Sequence, residues 1–379
     1  MLLKKLAYRE FPIDHPRYWE IEEFELGSIN LFVGNNASGK SRTLRVIHGL
    51  SNIILSPVLM LNQGVFNAEF IQGKSNYQYF LEIEDGIVVK EEYYIDNENM
   101  FNRNKKGEGQ IFNSDLNLKH NFRVPKNQLL ISRRDSIQFP YLEDLYLWST
   151  TVRYFRFSKE EEKLTLVLID SNKSTTEEHN QNVTNQAVEI FRKGKTEFRQ
   201  EFVTRVIADF NSIGYNISNL DYGALQSLKV DSPIGNKLVG LRIQENDRKG
   251  ITDQNEMSDG MFRALSLIIH FNYFELKNDN LTVLVDDIGE GLDFERSTNL
   301  IKLAIEKSKN SNIQLIMSSN DKFVMNNTNL NYWQIVSRSG GKLKMYNHCN
   351  SKDKFEEFRF SGLNNFDFFV TESFKEDLK

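Results

Sequence analysis

The chain has 379 residues, 40% of them hydrophobic and 26% charged, ordinary values for one large globular domain or two smaller ones. A formal net charge of −5 excludes a bulk polycation that coats nucleic acid, although a local basic groove stays compatible with it. A single cysteine, Cys349, excludes an intrachain disulfide and any cysteine-based metal cage, and the 28 phenylalanines supply material for a sizeable core.

No apolar run approaches the length of a bilayer span, and the opening Met1-Leu2-Leu3-Lys4-Lys5 lacks a signal-peptide core, so a cytoplasmic location without membrane contact is expected. Residues 2–8 and 18–26 read as two short strands joined by a turn at Asp14 and Pro16 and placed as an antiparallel edge beside the strand 29–33. In the second, Trp19, Ile21, Phe24 and Leu26 interleave with glutamates. Tyr18 or Trp19 is placed to stack on a nucleotide base, although core packing is the commoner use of such a residue.

Next comes an apolar run, Ile29-Asn30-Leu31-Phe32-Val33, with the pattern of a buried strand. It leads into Gly34-Asn35-Asn36-Ala37-Ser38-Gly39-Lys40-Ser41, which fits G-x-x-x-x-G-K-S, the phosphate-binding P-loop. Arg42 then opens a stretch with helical spacing at Leu44, Val46, Ile47 and Leu50, and is counted with the nucleotide-binding set. The strand–loop–helix context suits the chemistry. Glycines let backbone N–H groups turn inward around phosphate oxygens, and the helix start adds its positive dipole end. Lys40 would reach the β- and γ-phosphates of ATP, and the Ser41 hydroxyl would ligate Mg²⁺.

Residues 76–83 and 87–95 alternate as paired strands around a hairpin turn at Glu84-Asp85-Gly86. Gln72 or Gln78 is a candidate for sensing Mg²⁺ and γ-phosphate. Residues 96–126 are polar, and Asn102-Arg103-Asn104-Lys105-Lys106-Gly107 reads as a flexible, solvated basic loop. Residues 129–155 return to apolar patterning, with Leu142, Leu145, Tyr146 and Trp148 at helical spacing. Arg133 and Arg134 read as surface ion-pairing residues before phosphate contacts. Residues 171–185 read as an exposed loop. Residues 196–213 form a helix with Phe198, Phe202, Val203, Val206, Ile207 and Phe210 on one face, ended by Gly214. The stretch 128–228 therefore reads as an inserted helical lobe, and 238–244 as a strand returning to the main sheet.

Val283-Leu284-Val285-Asp286-Asp287 is an apolar strand ending in two carboxylates, the Walker B pattern. Asp286 would hold Mg²⁺ through water or Ser41, and Asp287 sits where a general base is wanted. Unpaired carboxylates are costly to bury, so a buried strand ending in acids has few purely structural uses. Upstream, Glu256-Met257-Ser258-Asp259-Gly260-Met261 opens an apolar helix. A Ser-x-Gly turn at a helix start is a second anion-binding device, though serine also serves there as an ordinary cap.

The order and spacing of these motifs resemble ABC-type ATPases, in the branch with the SMC, RecF and OLD-like proteins. That family's Leu-Ser-Gly-Gly-Gln signature resembles Met257-Ser258-Asp259-Gly260-Met261. Its Asp-Glu-Pro-x-x-x-Leu-Asp run resembles Asp286-Asp287-Ile288-Gly289-Glu290-Gly291-Leu292-Asp293 without a gap, and after the strand 313–319 Asn320 stands in place of the switch histidine. The resemblance covers about residues 1–95 and 235–340. It implies an α/β fold of P-loop NTPase type: a mixed β-sheet with flanking helices and the inserted lobe. The implied domains are 1–127 and 229–346 as the two halves of the ATPase, 128–228 as the lobe and 347–379 as an aromatic tail.

The resemblance further implies a homodimer with ATP sandwiched between Walker A of one chain and Ser258, Asp259 and Gly260 of the other, Asp293 also facing the nucleotide. Asp287 in place of the family's glutamate and Asn320 in place of histidine imply slow hydrolysis, with Glu290 as an alternative acid. The chain is similar to the stand-alone OLD-type ATPases of bacterial anti-phage systems. That implies a regulatory subunit controlling a separate nuclease or toxin, since no nuclease constellation is visible here. A RecF-like clamp on DNA is the alternative, against which the net charge argues, and a transporter ATP-binding subunit a further one. The tail's Phe355, Phe358, Phe360, Leu363, Phe366, Phe368 and Phe369 read first as packing back on the ATPase, and second as a docking segment.

Overall fold

The computed structural model describes residues 1–157, 167–170, 187–227 and 236–375. The chain divides into two compact units, one formed by Met1–Val152 with Thr328–Lys379 and the other by Arg153–Asn327.

The first unit opens with β1 (Leu2–Arg9), β2 (Glu20–Glu25) and β3 (Ile29–Val33), then α1 (Lys40–Leu55). β1 and β2 pair antiparallel as expected, but they form no edge beside β3: β3 pairs with residues 333–335, β2 with residues 342–343 and β1 with residues 65–71. β3 is buried at all five positions, which is why it reads as an unbroken apolar run. α1 buries Leu44, Ile47, Leu50 and Ile54, one helical face. A meander follows: β4 (Gly64–Gln72), β5 (Ser75–Glu84), β6 (Ile87–Ile95), β7 (Glu98–Arg103), β8 (Glu108–Asn113) and β9 (Leu118–Arg123). The β5–β6 turn takes left-handed backbone at Asp85 and Gly86, φ 50° and 70°, the geometry that matches strand twist. After it comes α2 (Leu142–Thr151), which buries Leu142, Leu145 and Trp148. Arg134 donates to the Glu143 carboxylate through Nε at 2.9 Å and Nη2 at 2.7 Å, the expected surface ion pair.

The expected loop over 96–126 is instead three strands. Its polarity hid them because each is short and buries only alternate positions, such as Phe101 and Arg103 or Ile111 and Asn113. The Asn-Lys-Lys-Gly run is the β7–β8 hairpin turn, closed by left-handed Gly107 (φ 81°), where a Cβ would meet the Val124 carbonyl oxygen at 2.1 Å. Arg103 is fully buried against Glu91 (3.8 Å), whose carboxylate also accepts the N–H groups of Leu130 and Ile131 at 2.8 and 3.1 Å.

The second unit runs β10 (Val152–Arg156), β11 (Val167–Asp170), α3 (Ala187–Ser212), β12 (Ile217–Ala224), β13 (Asn236–Glu245) and β14 (Ile251–Asp253). It continues with α4 (Asp259–Lys277), β15 (Leu281–Asp286), α5 (Phe294–Lys309), β16 (Ile313–Ser319) and α6 (Lys322–Asn327). β10 lies beside β15, and β15 pairs parallel with β16. The strand expected to return to the main sheet, β13, sits instead in a separate small antiparallel sheet with β11, β12 and β14. Nothing in an alternating strand says which sheet will accept its edge.

Among the described residues of 128–227 there are thus two helices and three strands, while the expected loop 171–185 lies outside the described residues. α3 buries Phe202, Val203, Val206 and Phe210 as the periodicity predicts, and left-handed Gly214 (φ 104°) follows its end. It bends at Arg199 (φ 53°), which lets Gly194 approach the Phe202 ring so closely that a Cβ would sit 2.6 Å from it. α4 is buried on nearly all sides, and Lys307 of α5 ties it to α3 by pairing with Glu275 at 2.7 Å and Asp209 at 2.8 Å.

The chain then rejoins the first unit with β17 (Trp333–Ser339), β18 (Lys342–Asn347), α7 (Lys352–Arg359) and α8 (Asn365–Val370). In that unit the strand order is β3-β17-β18-β2-β1-β4-β5-β6-β7-β8-β9. β17 lies parallel to β3 and β18 parallel to β2; the other pairs are antiparallel, so the sheet is mixed. Gln334 fixes one end of this parallel core. Its amide donates to the Glu25 carbonyl (2.9 Å) and Asn30 Oδ1 (3.3 Å), and its oxygen accepts from Asn347 (2.9 Å).

The tail packs back on this unit, as first expected: Phe355, Phe358 and Phe368 are buried, with ring centroids 4.6–4.8 Å apart, and Phe374 lies against Tyr346. Phe360 and Leu363 stay exposed.

Candidate nucleotide site

The first unit supplies the phosphate loop. β3 runs straight into it, and α1 begins at Lys40. Gly34 is required by space, since a Cβ there would meet the Val336 carbonyl at 2.7 Å and Ser38 Oγ at 2.8 Å. Gly39 is required by conformation (φ 109°) and by Leu343, 2.4 Å from any added Cβ. Ala37 also takes left-handed backbone, φ 62°, and its carbonyl accepts from Arg338 at 3.2 Å. The Lys40 ammonium, nearly buried, folds over the loop and donates to the carbonyls of Gly34 (2.7 Å) and Asn35 (3.1 Å). Ser38 Oγ is buried with no hydrogen-bond partner.

An orphaned hydroxyl and a lysine resting on carbonyls fit the chemistry of ATP phosphates, which would offer both a better acceptor. Asn35 and Asn36 lie on the loop, and Ser41 in the first turn of α1. Arg42 pairs with Glu10 and lies 3.8 Å over the Trp19 ring, which is 2% exposed. Trp19 is therefore a core residue, one of the two uses foreseen for it, and its ring face is taken by Arg42.

The second unit supplies the acids. Asp286 ends the buried β15 at 5% exposure. Its Oδ1 accepts from Ser318 Oγ at 2.7 Å and its Oδ2 from Tyr154 OH at 3.0 Å. The same Ser318 oxygen accepts the Asp287 N–H at 2.9 Å, and Asp287 takes left-handed backbone, φ 55°. Parallel pairing of β15 with β16 puts Ser318 in register for this, and β10 brings Tyr154 from the other side. A carboxylate clamped by hydroxyls at a strand end has the chemistry that would fit a second-sphere partner of Mg²⁺. No group of three or more His, Cys, Asp or Glu side chains that could hold a metal ion occurs among the described residues.

Ser258 caps α4, its Oγ accepting the Met261 N–H at 3.2 Å, and the residue itself is exposed. Gly260, two positions on, packs so closely on the run after Asp287 that a Cβ would lie 2.3 Å from the Gly291 carbonyl oxygen. Asp259 stands in the first turn of α4. Asp293 caps α5: its carboxylate accepts the Arg296 N–H at 3.0 Å and pairs with the Arg296 guanidinium at 2.7 Å. That backbone bond, with the guanidinium charge, holds the Asp293 carboxyl below the usual carboxylate range. Glu290 is exposed in the turn between Asp287 and Asp293, and Asn320 is exposed just beyond β16.

The second unit therefore joins Asp286 and Asp287 through Ser318, and Gly260 to the run ending at Asp293; residues 34–42 gather in the first. Ser318 and Tyr154 escaped the sequence reading. Ser318 lay inside a strand already identified, and the hydroxyl beside a terminal acid was the only signal. Gln72 and Gln78 both lie on the β4–β5 ladder, Gln78 opposite Glu69.

Residues 29–326 match the family described as "AAA domain, putative AbiEii toxin, Type IV TA system". The chain belongs to that family. Among solved structures, this family member is similar to an Smc head bound to the C-terminal winged-helix domain of ScpA, at 13% identity and TM-score 0.50, over 91% of this chain and 97% of that one. It is also similar to the Smc head with an extended coiled coil bound to the C-terminal domain of ScpA, from Pyrococcus furiosus, at 11% identity and TM-score 0.51, over 94% and 99%. At such identities the likeness is one of fold, and the fold is the P-loop ATPase type that those Smc heads have. No curated protein matches the chain in sequence. Among the described residues no helix is long and apolar enough to cross a membrane.

Proposed function

We propose that the chain binds ATP with Mg²⁺, hydrolyses it slowly, and closes as a homodimer around it to control a separate effector protein. The observation that carries this reading is the phosphate loop: a left-handed Gly39, a lysine folded over loop carbonyls, and an orphaned Ser38 hydroxyl. In this reading Gly34 to Arg42 hold the phosphates and Ser41 and Asp286 the ion. Asp287 or Glu290 polarises the attacking water, and Asn320 faces the γ-phosphate. Ser258, Asp259, Gly260 and Asp293 act on the nucleotide of the second copy. Two aromatic side chains support a second copy: Phe294 and Phe323 sit beside Asp293 as an edge-to-face pair, 58% and 53% exposed, a costly surface to leave in water. The family description, with its toxin and Type IV toxin–antitoxin system, supports a defence setting and an effector partner.

Phosphate release from ATP tests the site directly. Lys40→Ala is expected to bring it to background; an unchanged rate would sink the assignment. For the defence role, phage plating on cells carrying the wild-type chain or Lys40→Ala is expected to differ, and equal plating would count against it. The Smc-head fold favours one other reading, a clamp on DNA. DNA binding that needs ATP and falls steeply with salt would support that reading instead.

A further inference from the structure

Within the first unit, a cavity of about 450 Å³ opens against the phosphate loop, in the size range of small-ligand sites. One wall is Asn35 to Ser38 of the loop, the second is the β17–β18 turn around Arg338, and the third is the C-terminal tail with Phe369, Glu372, Phe374 and Lys375. The Phe369 and Phe374 rings are parallel within 6°, with centroids 6.5 Å apart. Arg338 is fixed at the rim by donating to the Gly340 carbonyl at 2.8 Å and the Ala37 carbonyl at 3.2 Å. Lys375 pairs with Glu372 at 2.6 Å. Glu372 takes left-handed backbone, φ 53°, directly after the Thr371 cap of α8, as helix ends commonly do.

We propose that this cavity seats the nucleoside half of the nucleotide, so that the aromatic tail is part of the binding site. The inference rests on the reading that residues 34–41 hold ATP phosphates. The wall chemistry selects the class of ligand. Aromatic surface suits a planar base, whose faces stack on phenylalanine whatever its edge pattern. The Glu372 carboxylate suits hydroxyl donors such as those of a ribose. Since the loop itself forms one wall, a nucleoside in the cavity stays within reach of phosphates cradled by Lys40 and the orphaned Ser38 hydroxyl.

The test compares binding of ATP and of inorganic tripolyphosphate, each with Mg²⁺, to the full chain by calorimetry. Phe369 is only half-buried, so Phe369→Leu keeps apolar volume while removing the stacking ring. It is expected to weaken ATP roughly tenfold and leave tripolyphosphate unchanged, with Phe369→Tyr retaining wild-type affinity for both. Unchanged ATP affinity in Phe369→Leu, or an equal loss for both ligands, overturns the proposal. Wild-type chain that binds neither ligand overturns the phosphate-site reading as well. Wild-type binding of both, abolished by Lys40→Ala, keeps that reading standing whatever the Phe369 variants do.

Discussion

Ser318 is one hydroxyl with two duties: it donates to Asp286 and receives the Asp287 N–H. Removing it leaves a nearly buried carboxylate short of a donor and frees the backbone that aims Asp287. Ser318→Ala is expected to cost about 1–3 kcal/mol of stability in urea unfolding and to lower phosphate release more than ATP affinity. A variant that binds and hydrolyses like wild type would show that the clamp is structural only. Asp287 offers a complementary test. Its carboxylate is one methylene shorter than that of the glutamate used by the resembling ATPases, and a base works only within hydrogen-bond reach of its water. Asp287→Glu is expected to raise steady-state phosphate release by about tenfold, and Asp287→Asn to lower it on the order of a hundredfold. A fall in the glutamate variant would mean that the left-handed backbone already points the shorter acid correctly.

At the scale of elements, α4 carries its own pH sensor of stability. His270 is fully buried there, its Nδ1 against the Ser266 carbonyl at 2.8 Å and its ring edge-to-face with Phe155 at 5.1 Å. Burial, then the nearby Arg153 charge, push it down to about 3. The unfolded chain therefore binds a proton that the folded chain refuses. Stability falls as pH drops from roughly 6.5 towards 3, by about 1.4 kcal/mol per pH unit from this group. Urea unfolding between pH 7.5 and 4.5 is expected to show that slope in wild type and a flatter one in His270→Leu; identical slopes would remove His270 as the cause.

Elements also set what the sequence could reveal. The P-loop, the buried acid strand and the apolar helices were legible because each is a local pattern in one stretch. Tyr154 was not, because its hydroxyl matters only once β10 lies beside β15. β7 to β9 were masked by asparagines and lysines, which are depleted in strands, so their composition pointed to a loop. The sheet that β13 joins is a matter of long-range pairing, on which its own ten residues are silent.

For the whole molecule, the central expectation is association. The hydrolysis-impaired Asp287→Asn chain with ATP and Mg²⁺ is expected to double its mass in light scattering, and to stay single without nucleotide. Phe294→Asp, a charge placed in the exposed aromatic pair, is expected to block the doubling while ATP still binds. A dimer that forms equally without ATP, or survives Phe294→Asp, would place the contact elsewhere.

The discontinuity of the first unit bears on how the chain is made. β3 ends at Val33, and its parallel neighbour β17 begins at Trp333, 300 residues later. At about 5–20 residues per second, ribosomes deliver β17 roughly 15 to 60 seconds after β3. Through that interval the most apolar strand of the nucleotide site lacks this neighbour, and an unpaired edge of this kind invites pairing with other chains. The strand that leads into the phosphate loop thus waits for its parallel neighbour, and its completion is timed by the synthesis of everything between.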